Sequence, residues 1–359
     1  MSKENVQIGI IFMQIILLYN KEWSEEMNNT IITNVLKEYE KKRLSAEKNL
    51  EERKNKLYSE NPRLQEIDDE LFKLGISTAK NLILSNSPEL LQELNIKVEN
   101  LKEEKAQILK VLNLPNDFLS PNYSCKLCND TGYIQDNYNS IMCNCLKQEI
   151  FNIEYNKSNL SNLENQNFEN FSSEKYSDKI DKDKYNSEIS PRENINLIKN
   201  ICLNFIKNFD DPNEKNLLFT GNTGLGKTFL SSCIAKEIIQ KDKTVLYQTA
   251  PIMLDTIIDY KFNKNNISDT TYKNLLDVDL LIIDDLGTES LNNIKFTELF
   301  NIINSRLLNQ NNKCLKTIIS TNLSLPILNK TYGERITSRL IGNYNICRFF
   351  GEDLRFINR

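Results

Sequence analysis

Residues 221–228 read GNTGLGKT, directly after a short apolar run. They fit the pattern G-x-x-x-x-G-K-[ST], in which a glycine-rich turn links a strand to a helix. The glycines let the backbone curl until successive N–H groups point inward at an anion. A helix beginning near Lys227 adds the positive end of its dipole. Lys227 is then expected to reach the β- and γ-phosphates of a nucleoside triphosphate, and the Thr228 hydroxyl to ligate Mg²⁺. Gly221, Asn222, Thr223, Gly224, Leu225, Gly226 and Phe229 complete the expected cradle.

A triphosphate site needs carboxylates, and residues 280–285 (LLIIDD) supply two at the end of an apolar run. Four consecutive apolar residues suit a strand buried on both faces. Asp284 at its carboxyl end would hold Mg²⁺ through water. Asp285 would orient or deprotonate the attacking water. A second strand, 317–322 (TIISTN), ends at Asn322, which could bond the γ-phosphate and position water. Arg335 and Arg339 lie four residues apart on one helical face. Such a pair suggests an arginine that completes a neighbouring subunit's site and stabilises transition-state charge.

The 8 cysteines and 0 histidines narrow the remaining chemistry. Without histidine there is no Ser-His or Cys-His catalysis, and a soft-ligand metal site must use cysteine alone. Cys125-x₂-Cys128 and Cys143-x-Cys145 could surround Zn²⁺ tetrahedrally with every position filled, a structural site with no place for water. It would stabilise a segment too small to fold by its own core. Four uncoordinated thiols or an iron–sulfur cluster are the competing readings. The other four cysteines are scattered, which is no disulfide framework and points to a reducing cytoplasm.

Several elements must position these groups. The chain of 359 residues is long enough for two or three domains, and its net charge of −4 confines any nucleic-acid contact to a local basic strip. Residues 8–19 form an apolar run too short to span a bilayer, so no membrane association is expected. Residues 1–26 are set apart as an upstream or disordered N-terminus, with Met27 as an alternative start. Residues 27–115 carry narrow apolar stripes: Leu64, Ile67, Leu71 and Leu74, then Leu94, Val98, Leu101, Ile108 and Leu112, interrupted by Lys105. Asn61-Pro62 and Ser87-Pro88 look like helix starts, which predicts three helices. Residues 120–150 form the cysteine module. Residues 151–192 read as a polar linker, although Phe168, Phe171 and Tyr176 within it suggest docking on a neighbouring surface. From 193 to 359 short apolar strands alternate with helices, which predicts an α/β fold with a mostly parallel sheet covered on both faces.

Taken together, GNTGLGKT, LLIIDD, the STN ending at Asn322 and GERITSR resemble the AAA+ ATPases. The likeness is to the DnaC/DnaI-type loaders of the bacterial replicative helicase and the related IstB-type transposition helpers. It covers residues 123–359, and the N-terminal helices only in kind. It implies an AAA+ P-loop core with ATP and Mg²⁺ at Lys227, Thr228, Asp284 and Asp285, Asn322 as sensor 1, and Arg339 ahead of Arg335 as arginine finger. It places a sensor-2 arginine at Arg355, without the helical lid that carries this residue in many AAA+ proteins being expected within residues 193–359. It supports Zn²⁺ at the four cysteines. It also implies a hexameric DnaB-type helicase as partner, single-stranded DNA as substrate surface, and ATP-dependent self-association. Lys261, Lys264 and Lys273, with Phe262 for stacking, form the expected DNA strip. A transposition helper and a nucleotide-gated adaptor with slow turnover are the alternatives, the latter because an Asp-Asp pair stands at 284–285.

Overall fold

The computed structural model describes the backbone of residues 3–84, 88–136, 139–153, 166–262, 269–309 and 313–356, and the side chains of all these except 3–30, 81–84, 88–90, 260, 262 and 269–271. The apolar run at 8–19, Phe262 and Lys264 therefore lie outside what is described of side chains. Among the described residues no helix is long and apolar enough to cross a membrane. The chain divides into two compact units, Leu36–Ile141 and Met1–Val35 with Met142–Arg359.

The first unit is helical. α1 (Lys3–Glu60) runs continuously across the boundary expected at 26/27. α2 (Pro62–Leu84) and α3 (Pro88–Val111) begin at the two prolines that marked them. Leu57, Leu64, Leu109 and Leu119 form a small buried core. Lys105, which breaks the α3 stripe, pairs with Asp68 of α2. Arg63 joins Glu104 at 2.7 Å across the same pair of helices. Exposed pairs of the latter kind are worth about 0–1 kcal/mol, so the leucines dominate the energetics.

The cysteine segment adds a short hairpin, β1 (Tyr133–Asp136) and β2 (Asn139–Met142), that sequence patterning did not predict. α4 (Asn144–Phe151) follows it. After a short helix, α5 (Lys182–Tyr185), comes α6 (Pro191–Lys207). α6 starts at Pro191, two residues before the boundary expected at 193, because Ser190 and Glu193 form a reciprocal capping box with Pro191 in the first turn.

The sheet consists of β3 (Asn216–Thr220), β4 (Val245–Thr249), β5 (Leu280–Leu286), β6 (Lys316–Thr321) and β7 (Tyr344–Arg348). Its order is β4-β5-β6-β3-β7 and every pairing is parallel. Alternation along each strand sends side chains to two cores. Leu217, Phe219, Leu280 and Ile282 join one with α6 and α7 (Lys227–Gln240). Leu218, Leu281 and Ile283 join the other with α8 (Ala250–Phe262), α9 (Asp269–Asp277), α10 (Asn293–Asn309) and α11 (Leu325–Asn343). α11, which carries Arg335 and Arg339, is 19 residues long and kinked at Gly333.

The segment expected to be a linker is partly built into this unit. Tyr176 is buried in the α6–α7 core, with Phe168 and Phe171 packed against it. Aromatic burial outweighs the polar composition around it, and the packed domain begins before residue 193.

Candidate nucleotide-binding site

The 221–228 turn sits between β3 and α7, at the carboxyl end of the sheet. Gly226 has φ +89° and caps α7; a Cβ there would lie 2.6 Å from the Tyr176 hydroxyl. The hydroxyl itself donates to the Leu225 carbonyl at 2.9 Å. Tyr176 therefore braces the turn from outside, and glycine is what lets it approach. Phe171 stacks beside it and against Phe229, with ring centroids 6.5 and 6.2 Å away. A cleft of about 480 Å³ opens here, lined by Asn170, Phe171, Tyr176, Gly224, Thr228 and Arg355.

Lys227 is the centre of the polar cluster. It is 5% exposed. Its ammonium donates to the carbonyls of Gly221 at 2.6 Å and Asn222 at 2.7 Å, and to the Asn322 side chain at 2.7 Å. Burial pushes it down to about 8, against the pull of Asp285 and Asp284. Asn322 reaches it because β6 neighbours β3.

Asp284 is also buried. One oxygen accepts from Thr228 at 3.1 Å and from Tyr247 at 2.8 Å; the other accepts from Ser320. β5 lies between β4 and β6, so each neighbouring strand contributes one hydroxyl. The β5–β6 register shifts between Ile283 and Leu286, and Asp285 takes φ +55° at this bulge. The bulge turns the second carboxylate out of the ladder, half-buried. Burial, and then the Asp284 charge, push the Asp285 carboxyl up. A carboxylate ringed by hydroxyls is a hard-oxygen donor set of the kind that suits Mg²⁺.

Residues 171–344 match the model of the IstB-like ATP binding protein family. This segment resembles the ATP-binding domain of that family. Among curated relatives, the replicative helicase loader DnaC of Escherichia coli is 28% identical over 140 residues, 39% of this chain and 55% of that protein. The insertion sequence ATP-binding protein y4pL of Sinorhizobium fredii is 30% identical over 149 residues, 39% of this chain and 56% of that protein. The chain spans about half the length of the curated relatives it matches. A crystal structure of the DnaC helicase loader aligns with a TM-score of 0.41 at 23% identity, over 53% of this chain and 99% of that one.

Of the other predicted arginines and lysines among the described residues, only Arg355 lines this cleft, and the rest have partners elsewhere or are exposed. Arg355 lines the cleft, but its guanidinium is paired with Asp353, Nε–Oδ1 2.9 Å and Nη2–Oδ2 2.6 Å. Arg335 is exposed on α11. Arg339 stacks over Phe300 at 4.5 Å and donates to Asn304 at 2.8 Å and to the Arg335 carbonyl at 2.9 Å. Neither α11 arginine is joined by these bonds to the Lys227 cluster. Lys261 of the expected DNA strip pairs with buried Glu298 at 2.6 Å, whereas Lys273 is exposed.

Cys125, Cys128, Cys143 and Cys145 bring their sulfurs within 4.8 Å of one another. Asp130 shapes the first pair by accepting from the Ser124 and Cys125 N–H groups at 2.9 and 2.8 Å. The Gly132 N–H points at the Cys128 sulfur, 3.4 Å away. Four clustered thiols fit tetrahedral zinc.

Sequence reasoning missed Tyr247 and Ser320, because nothing local shows that their strands flank β5. It noticed Tyr176 as an aromatic in a polar stretch, but not its bond to the turn.

Proposed function

We propose that this protein is an ATPase that loads a hexameric replicative helicase onto single-stranded DNA. The observation that carries the reading is the meeting of Lys227 with Asn322 and of Thr228 with Asp284, beside Asp285, in a chain 28% identical to DnaC over 140 residues. The turn's N–H groups and Lys227 would bind the phosphates. Thr228 and Asp284 would hold Mg²⁺, which when bound would offset phosphate charge. Asp285, with its raised carboxyl, would accept the proton of the attacking water, held in line by Asn322. Phe171 and Tyr176 would wall the base. Arg339, with Arg335, would act on the phosphates of a neighbouring subunit, which requires ATP-dependent self-association. Zn²⁺ at the four cysteines would hold the hairpin segment together.

The helical unit presents Phe72 (71% exposed) and Ile96 (56%), apolar surface suited to gripping a protein partner. Lys273 would contribute to a DNA contact. The likeness to y4pL and to the IstB family favours a second reading, a helper that presents DNA to a transposase.

The deciding experiment combines the chain, the replicative helicase of its host, ATP and protein-coated single-stranded DNA. Helicase transfer to DNA by wild type, and not by Lys227→Ala, is the expected result. Absence of any complex with the helicase, together with capture of a transposase, would replace the loader with the helper.

A further inference from the structure

Glu289 lies in the turn that leaves β5, four residues after Asp285, and is buried at 9% exposure. One carboxylate oxygen accepts from the Tyr332 hydroxyl, and the other from the Gly287 N–H at 2.9 Å. Tyr332 is fully buried and is the last residue before Gly333. Gly333 has φ 67° and ψ 173°, which breaks α11. The helix that resumes beyond it carries Arg335 and Arg339. On its other side the same turn is fastened to the nucleotide site. Ser320 accepts from the Asp285 N–H at 3.1 Å, and Thr321 donates to the Leu286 carbonyl at 2.6 Å. Thr288 donates back to the Asp285 carbonyl at 2.8 Å. Asp285 is a non-glycine residue at φ +55°, so contacts rather than intrinsic preference maintain the turn.

A buried carboxylate is an expensive way to hold a tyrosine. An apolar contact would fill the same space but would not fix direction, since dispersion is nondirectional and a hydrogen bond is not. We propose that Glu289 is a positioning residue. Through Tyr332 it sets the start, and so the aim, of the arginine-bearing half of α11 relative to the Asp284–Asp285 turn. The face that offers arginine to a neighbour is thereby held in register with the subunit's own nucleotide site. This rests on the reading of Arg339 as a group that acts on the neighbour's phosphates.

The test uses the full chain and mixed assemblies. In Tyr332→Phe and in Glu289→Gln, ATP affinity should stay within about twofold while single-turnover hydrolysis falls about tenfold to a hundredfold, the cost of a misplaced group. The double variant Glu289→Met with Tyr332→Phe swaps the polar pair for an apolar one of similar volume, keeps the fold by thermal unfolding, and should show the same loss. Mixing Tyr332→Phe with Asp285→Asn should restore hydrolysis, because the second chain brings an intact arginine helix to the first chain's working site. Wild-type rates in the double variant, or no recovery on mixing, overturn the proposal. Arg339→Ala mixed with Asp285→Asn is the parallel arm. If it recovers and Tyr332→Phe does not, only the role of Glu289 fails. If Arg339→Ala hydrolyses normally or never recovers, the trans-arginine reading fails and takes the proposal with it.

Discussion

Raising the pH from 7 to 9 should weaken ATP binding about tenfold, through Lys227. Its ammonium is buried among three oxygen acceptors, and burial pushes it down to about 8. A lysine with a depressed value loses its proton as pH climbs through that value, well before an exposed lysine would. If only the charged form binds the phosphates, the competent fraction is about nine-tenths at pH 7 and about one-tenth at pH 9, and apparent affinity scales with that fraction. The phosphate contributes little to the trend, because its own second ionisation lies near about 6. Bound triphosphate favours the ammonium, so binding at pH 8.5 should draw a proton from solvent. Calorimetry in two buffers of different ionisation enthalpy reads that uptake directly. Lys227→Arg keeps its charge throughout this range and should bind with a flat profile. A flat wild-type profile, or an equally steep one in Lys227→Arg, would refute the assignment of the effect to Lys227.

Gly226→Ala should abolish nucleotide binding and cost at least about 2 kcal/mol of stability, read by fluorescent-nucleotide titration and denaturant unfolding, because it combines φ +89° with a Cβ 2.6 Å from the Tyr176 hydroxyl. Metal analysis of protein purified without chelator should return about one zinc per chain, with Cys128→Ser losing most of it; zinc-free wild type would leave the thiols uncoordinated. Arg306→Met should cost at least about 3 kcal/mol in urea unfolding, since the wholly buried guanidinium donates to the carbonyls of Leu275, Val278 and Lys316 and to the Thr317 hydroxyl, all of which would lose a donor.

The contiguous parts of the site were legible before the fold was. GNTGLGKT needs only a strand before it and a helix after it, and LLIIDD declares its own buried strand, so a mostly parallel sheet with the 221–228 turn and the two acids at its strand ends followed from local pattern. What remained hidden depends on strand order. β5 lies between β4 and β6, which brings Tyr247 and Ser320 to the two oxygens of Asp284 from opposite sides. No spacing rule in the chain encodes that order. The bulge at 284–285 is hidden for the same reason, since it exists only relative to a partner strand. The 173–176 segment misled in the opposite direction: its composition says linker, but Tyr176 spends its ring on the core and its hydroxyl on Leu225.

The basic strip at 261–273 shows why local charge counting overstates a field. Lys261 appears available in sequence, yet its partner, Glu298, sits 37 residues away with 3% of its side chain exposed. If Lys261 swung toward a phosphate, that carboxylate would be left buried without its cation, a penalty that an exposed ion pair does not carry. The pair is better understood as a clamp between α8 and α10, reinforced by the Lys295–Asp255 bridge at 2.6 Å between the same helices. A nucleic-acid contact on this face therefore has to draw on exposed cations such as Lys273, and its salt dependence should be correspondingly shallow, with fewer released counterions than the sequence count implies.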